Sequence, residues 1–151
     1  MNNAKEFIDR GIDEVSLHDY LNAIITLNKA ITLDCRISEA YLWRGLAKKG
    51  MQDFNGAISD VSEVLKINCN NAIALLERGL LRINIKDFLG AIIDFNKILE
   101  IDPDNSNVLN LIVYSKGRIR RYIQKMEEYK AVGENELGIS GGSYFRGRCQ
   151  N

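Results

Sequence analysis

The dipeptide Arg-Gly recurs at Arg10-Gly11, Arg44-Gly45 and Arg78-Gly79, each copy 34 residues after the last. Alanine keeps the same phase: Ala23, Ala57 and Ala91 each stand twelve positions after a glycine and directly before an isoleucine. Two markers locked to one period of this size indicate stacked supersecondary units, each burying its apolar face against the next, rather than a fold with one central core. The period divides the chain into units 4–37, 38–71 and 72–105.

Within each unit the apolar residues fall at three- and four-residue steps, the spacing of amphipathic helices. In the first unit Phe7, Ile8, Gly11, Ile12 and Val15 make one stripe, residues 16–19 break it, and Tyr20, Ile24, Leu27 and Ile31 make a second. The second and third units repeat this plan, with breaks at 50–53 and 84–87. Asp19, Asp53 and Asp87 close the breaks, each just before an aromatic residue, where a carboxylate can accept backbone N–H groups and start a helix. Asp34-Cys35, Asn68-Cys69 and Asp102-Pro103 mark the unit ends. Glycine in mid-helix is unfavourable by about 1 kcal/mol relative to alanine, so Gly11, Gly45 and Gly79 need a packing reason. Close approach of two antiparallel helices, with Ala23, Ala57 and Ala91 on the facing helix, supplies it.

These residues resemble the tetratricopeptide repeat family, whose 34-residue units carry a bulky residue early in the first helix, then leucine-glycine, then tyrosine, with alanine in the second helix and proline at the end. The bulky position holds Phe7, Tyr41 and Leu75, and the glycine and alanine match in all three units. The departures are regular: arginine stands where the family has leucine, Glu14, Lys48 and Arg82 stand where it has tyrosine, and the only proline is Pro103. The resemblance covers residues 4–105 and implies an all-α fold, a right-handed α-solenoid of three helix-turn-helix pairs.

Residues 106–130 keep helical spacing through Val108, Leu109, Ile112, Val113, Ile119, Ile123 and Met126 without the glycine and alanine markers. They are read as a long capping helix that covers the apolar edge of the last repeat. This makes a repeat domain of residues 1–130, and the stretch 131–151, with five glycines, reads as a flexible tail.

Formal net charge is zero and hydrophobic residues make up 46% of the chain, so the molecule can bury a core and has no overall attraction to nucleic acid or anionic membrane. Acidic residues in the first fourteen positions and the absence of a long apolar run argue against a signal peptide or membrane span and for a cytoplasmic protein. Cys35 and Cys69 hold equivalent places one period apart and read as structural thiols rather than a bridge. No phosphate-binding loop, paired metal ligands or nucleophile with a histidine partner is evident, so no enzyme activity, catalytic residue, cofactor, metal or small-molecule substrate is expected. The remaining Asp and Glu side chains read as solvated helix surface.

The resemblance implies that first helices of successive repeats line a concave groove that takes a protein or peptide ligand. Here that groove would present Ile8, Ile12, Leu42, Trp43, Leu46, Ile73, Leu76, Leu80 and Ile83. Family members that grip a carboxy-terminal carboxylate place lysine, asparagine and arginine where this chain has Ile8, Ile12, Trp43, Ile73 and Glu77, so that mode is not supported. An apolar floor instead suits an amphipathic helix or hydrophobic strand, with Trp43 as the strongest anchor. The competing reading is that the same side chains pack between neighbouring first helices. The basic residues Lys116, Arg118, Arg120, Arg121 and Lys125 on the last helix read as a solvated face rather than a nucleic-acid site, and their charge, opposite to that of the preceding residues, could orient an acidic partner or another copy of the chain.

The expected function is therefore a protein-binding adaptor, scaffold or chaperone-like module. A small secretion-chaperone type and a self-assembling homo-oligomer are the alternatives. Arg10, Arg44 and Arg78 are expected to form a ladder, paired with acids along their own helix as in Arg10 to Glu14.

Overall fold

The computed structural model describes residues 3–136, and among these the regular structure is entirely helical. Six helices of near-equal length come first: α1 (Asn3–Ser16), α2 (Tyr20–Leu33), α3 (Ser38–Gly50), α4 (Phe54–Ile67), α5 (Ala72–Asn84) and α6 (Phe88–Ile101). A 31-residue helix, α7 (Ser106–Glu136), follows. The chain divides at Lys116/Gly117 into two units. The first contains the three pairs α1/α2, α3/α4 and α5/α6 together with the first turns of α7.

The turn inside each pair is built the same way three times. His18, Gln52 and Lys86, again 34 residues apart, adopt φ of 62°, 63° and 64°. This left-handed conformation is unfavourable by about 1–2 kcal/mol for a residue with a Cβ. The next residue is the aspartate that starts the second helix. Asp53 and Asp87 accept from the backbone N–H of Gly56 and Gly90 at 2.9 Å each. Asp19 accepts from Asn22 N–H at 3.4 Å and from the Asn22 side-chain amide at 2.7 Å.

Within a pair, the glycine of the first helix lies under a large side chain of the second. A Cβ on Gly11 would stand 2.6 Å from Leu27 Cγ, and one on Gly79 would overlap the ring of Phe95. At Gly45 the neighbour is Val61, which a Cβ would meet at 3.2 Å. Ala23, Ala57 and Ala91 are fully buried. An added methyl group would have to displace the Leu27 or Phe95 side chain at Gly11 and Gly79, and to shift Val61 by a few tenths of an ångström at Gly45.

Two apolar clusters form the core. One joins α4, α5 and α6 to the start of α7 through Val61, Leu75, Phe95, Val108 and Ile112. The other joins α1, α2 and α3 through Ile8, Leu27, Ala30 and Ala40. The first turns of α7 thus bury Val108 and Ile112 on the third repeat, as a capping helix does.

The second unit begins at Gly117 and is helical through Glu136. The capping helix therefore runs six residues past the boundary expected at 130, because Ala131, Val132 and Glu134 are compatible with a helix and no proline stops it. The stretch 137–151, including Cys149, lies outside the described residues. No helix among the described residues is long and apolar enough to cross a membrane.

Candidate binding face and its polar frame

The residues expected to line a groove sit on α1, α3 and α5, the first helices of the three pairs, in rows one period apart. Their environments differ. Ile8 is buried in the core, and Ile12 and Trp43 are half-buried against the same cluster. Leu42, Leu76, Leu80 and Ile83 are half-buried against the other. Leu46 is half-buried outside both clusters, and Ile73 is 65% exposed. The row Ile12, Leu46, Leu80 has a fourth member, Tyr114, 34 residues after Leu80 and about half exposed. The sequence reading missed it because the glycine and alanine markers stop at the third repeat.

Glu77 is held by Lys49 across the gap between α5 and α3 at 2.8 Å. The equivalent of Glu77 one repeat earlier is Trp43. These first helices thus present half-buried apolar side chains beside the Lys49–Glu77 ion pair.

Behind this face runs a frame that the sequence did not disclose. The Arg44 guanidinium grips Asp60 on α4 in bidentate fashion, Nε to Oδ2 at 2.9 Å and Nη2 to Oδ1 at 2.5 Å. Its Nη1 reaches back to Asn28 Oδ1 on α2 at 2.6 Å. One period later Arg78 repeats the grip on Asp94 at 3.0 and 2.6 Å, while its Nη1 donates to Ser62 on α4 at 3.2 Å. A second cation joins each carboxylate: Lys48 at 2.8 Å from Asp60 and Arg82 at 2.8 Å from Asp94. Each arginine therefore ties the two helices of its own pair to the second helix of the preceding pair.

Asp60 and Asp94 are 2% and 0% exposed, which corrects the expectation that the acids are solvated helix surface. A carboxylate so buried persists in charged form only with close, well-directed cations, and both have them. The expected ladder along single helices holds for Arg10, which meets Glu14 at 2.8 Å. It fails for Arg44 and Arg78 because the residue four positions on, Lys48 or Arg82, is itself a cation. The available signal was the spacing: Asp60 and Asp94 each follow their arginine by sixteen residues and stand beside the core residues Val61 and Phe95.

Of the remaining candidates, Lys116, Arg120, Arg121 and Lys125 are exposed on α7, and Arg118 is intermediate. Cys35 and Cys69 are free and exposed at the unit ends, not buried as structural thiols would be. Among the described residues no group of His, Cys, Asp and Glu could hold a metal ion.

Residues 72–105 match the family model described as tetratricopeptide repeat. Comparison with curated proteins finds no match in sequence. In structure the chain is similar to the first TPR domain of Spaghetti (RPAP3), solved with the HSP90 peptide SRMEEVD: TM-score 0.73, 21% identity, covering 80% of this chain and 96% of that one. The TPR2B domain of yeast Sti1, in complex with pHsp70, gives TM-score 0.70 and 18% identity over 78% of this chain and 99% of that one. MamA gives TM-score 0.73 and 23% identity over 91% of this chain and 81% of that one. With the period, the paired helices and the glycine and alanine contacts, the chain has the fold of tetratricopeptide repeat domains, three tandem helix pairs followed by a capping helix, and its third pair is the stretch that matches the family model.

Proposed function

We propose that the chain is a non-enzymatic protein-interaction module whose first-helix face takes an amphipathic helix or hydrophobic peptide of a protein partner. The observation that carries this reading is the row Ile12, Leu46, Leu80 and Tyr114, incompletely buried and flanked by the exposed Ile73. Side chains at equivalent places on successive helices that remain partly open offer apolar area to a ligand, at about 25 cal/mol per Å² buried. The similar domains of RPAP3 and Sti1 hold chaperone peptides, and SRMEEVD is acidic at its end. In this chain Trp43 and Ile73 occupy such places, and Glu77 is an acid already paired with Lys49. That chemistry disfavours an acidic tail and favours an apolar ligand.

The test is fluorescence anisotropy with two labelled peptides, SRMEEVD and a leucine-rich amphipathic helix with uncharged glutamine flanks. The expected result is binding of the helix alone, weakened at least about tenfold by Leu46→Glu with Ile73→Glu. Both positions lie outside the core clusters, so the variant retains its helicity. Preference for SRMEEVD, or unchanged binding by the folded variant, would remove the face from the account. Self-assembly is the second reading, favoured by Leu89 at 67% and Ile93 at 59% exposure on α6. A light-scattering mass that stays monomeric over a concentration series sinks it.

A further inference from the structure

Helix α7 carries a feature that the repeats lack. Val108, Ile112, Ser115, Ile119, Tyr122, Met126 and Tyr129 follow one another at alternating steps of four and three residues. This is the heptad seam of a helix that packs along another helix. In the first unit the seam is used: Val108, Ile112 and Ser115 are 3%, 5% and 0% exposed. In the second unit Ile119 is half-buried and the rest is open, with Tyr122 at 67%, Met126 at 53% and Tyr129 at 74% exposure, and the flanking Ile123 and Val132 above half.

The charges beside the seam are of one sign. At the flanking positions of the heptad, the charged residues from 116 to 132 are Lys116, Arg118, Lys125 and Lys130. Glu127 and Glu128 fall at positions away from the seam, where Glu128 accepts from the Gln124 amide at 3.1 Å. Flanking residues choose a partner helix by charge. We infer that residues 117–132 are a docking seam for an acidic amphipathic helix of another protein, one with apolar seam residues flanked by Glu or Asp.

Three other occupants fit less well. A second copy would oppose basic flanks to basic flanks in either orientation. The chain's own segment 137–151 has Arg146 and Arg148 as its charged residues and no acid to offer. An anionic bilayer calls for a broad apolar face rich in Trp, Phe or Leu. This seam is narrow, and residues 117–132 contain none of the three. The seam shares no residue with the first-helix face proposed above and stands or falls independently of it.

The experiment uses the full chain and two synthetic helices of four heptads, with leucine along the seam and either glutamate or lysine at every flanking position. The glutamate helix is expected to bind at least about tenfold more tightly than the lysine helix. Tyr122→Glu with Met126→Glu, both exposed sites, should abolish that binding. Lys125→Glu with Lys130→Glu, which leaves two cations and two acids on the flanks, should remove the preference, and Leu46→Glu with Ile73→Glu should leave it unchanged. Equal or absent binding of the two helices, or indifference to the seam and flank variants, overturns the inference. So does a dimer in light scattering that the seam variant dissolves. Co-sedimentation with phosphatidylserine–phosphatidylcholine vesicles, in the absence of binding to the glutamate helix, overturns it in favour of the bilayer.

Discussion

The first repeat and the two that follow it share a backbone plan and an arginine, and differ at two equivalent positions around it. Repeats two and three place arginine, then a cation four residues on, then an aspartate on the facing helix: Arg44, Lys48 and Asp60, and Arg78, Arg82 and Asp94. The first repeat has Arg10, Glu14 and Thr26. Its carboxylate has moved from the second helix to the first, and its ion pair follows one helix instead of bridging two. The consequence is visible in the bonding. Asp60 and Asp94 have both oxygens bonded, whereas Glu14 has one buried oxygen, Oε2, without a hydrogen-bond partner. The same repeat positions can therefore hold a cross-helix ionic node or a local pair, and of these two only the node reaches the preceding repeat.

The largest effect expected from this difference is at Asp94. Replacement by alanine leaves Arg78 partly buried without its anion and Arg82 with only Asp87, 3.6 Å away, and should destabilise the fold by about 3 kcal/mol. Thr26→Ala, at the equivalent place in the first repeat, breaks no ion pair and should stay below about 1.5 kcal/mol. Urea unfolding followed by circular dichroism measures both, and equal losses would show that the node does not distinguish the repeats. Replacing Arg44 and Arg78 by leucine alone should likewise be harmful, because it strips each aspartate of its bidentate partner.

A sharper test moves the node. Thr26→Asp alone should cost about 2 kcal/mol by placing a second carboxylate in the neighbourhood that equivalence assigns to Glu14. Thr26→Asp with Glu14→Lys copies the second repeat and should recover most of that loss. A coupling of at least about 1 kcal/mol in the double-mutant cycle is expected. Simple additivity would mean that the first repeat cannot host the node.

The glycines divide differently. Gly79→Ala forces the Phe95 ring aside and should be destabilising by about 1–3 kcal/mol. Gly45→Ala meets Val61 at 3.2 Å, and the helical preference of alanine, about 1 kcal/mol, should bring the net change close to zero. Melting temperatures of the two variants decide this, and equal shifts would contradict the packing difference. The smallest effect is expected in the turns: Gln52→Gly relieves a left-handed residue and should gain less than about 1 kcal/mol, by the same unfolding measurement.

The expected helix pairs could be read from the residues because helix formation and pairing rest on local periodicity, cap chemistry and small-residue spacing. The ends were harder. The helix beyond 130 lacked a stop signal, and nothing in Tyr114 itself marked it as continuing a row set by the period. The acids misled for a physical reason: a carboxylate on a helix is solvated by default, and only a cation delivered from another helix makes its burial tolerable.

By itself, then, the sequence determined the repeat length, the two helices per repeat, the capped starts and the glycine–alanine seam between them, all properties of residues within one unit. The tertiary structure alone decided which arginines turn inward to Asp60 and Asp94, which of the residues expected in a groove are spent on core packing, and which part of α7's heptad seam is left open. Those outcomes depend on what the neighbouring helix brings within about 3 Å of a charge, or within contact of an apolar side chain, and no single helix carries that information.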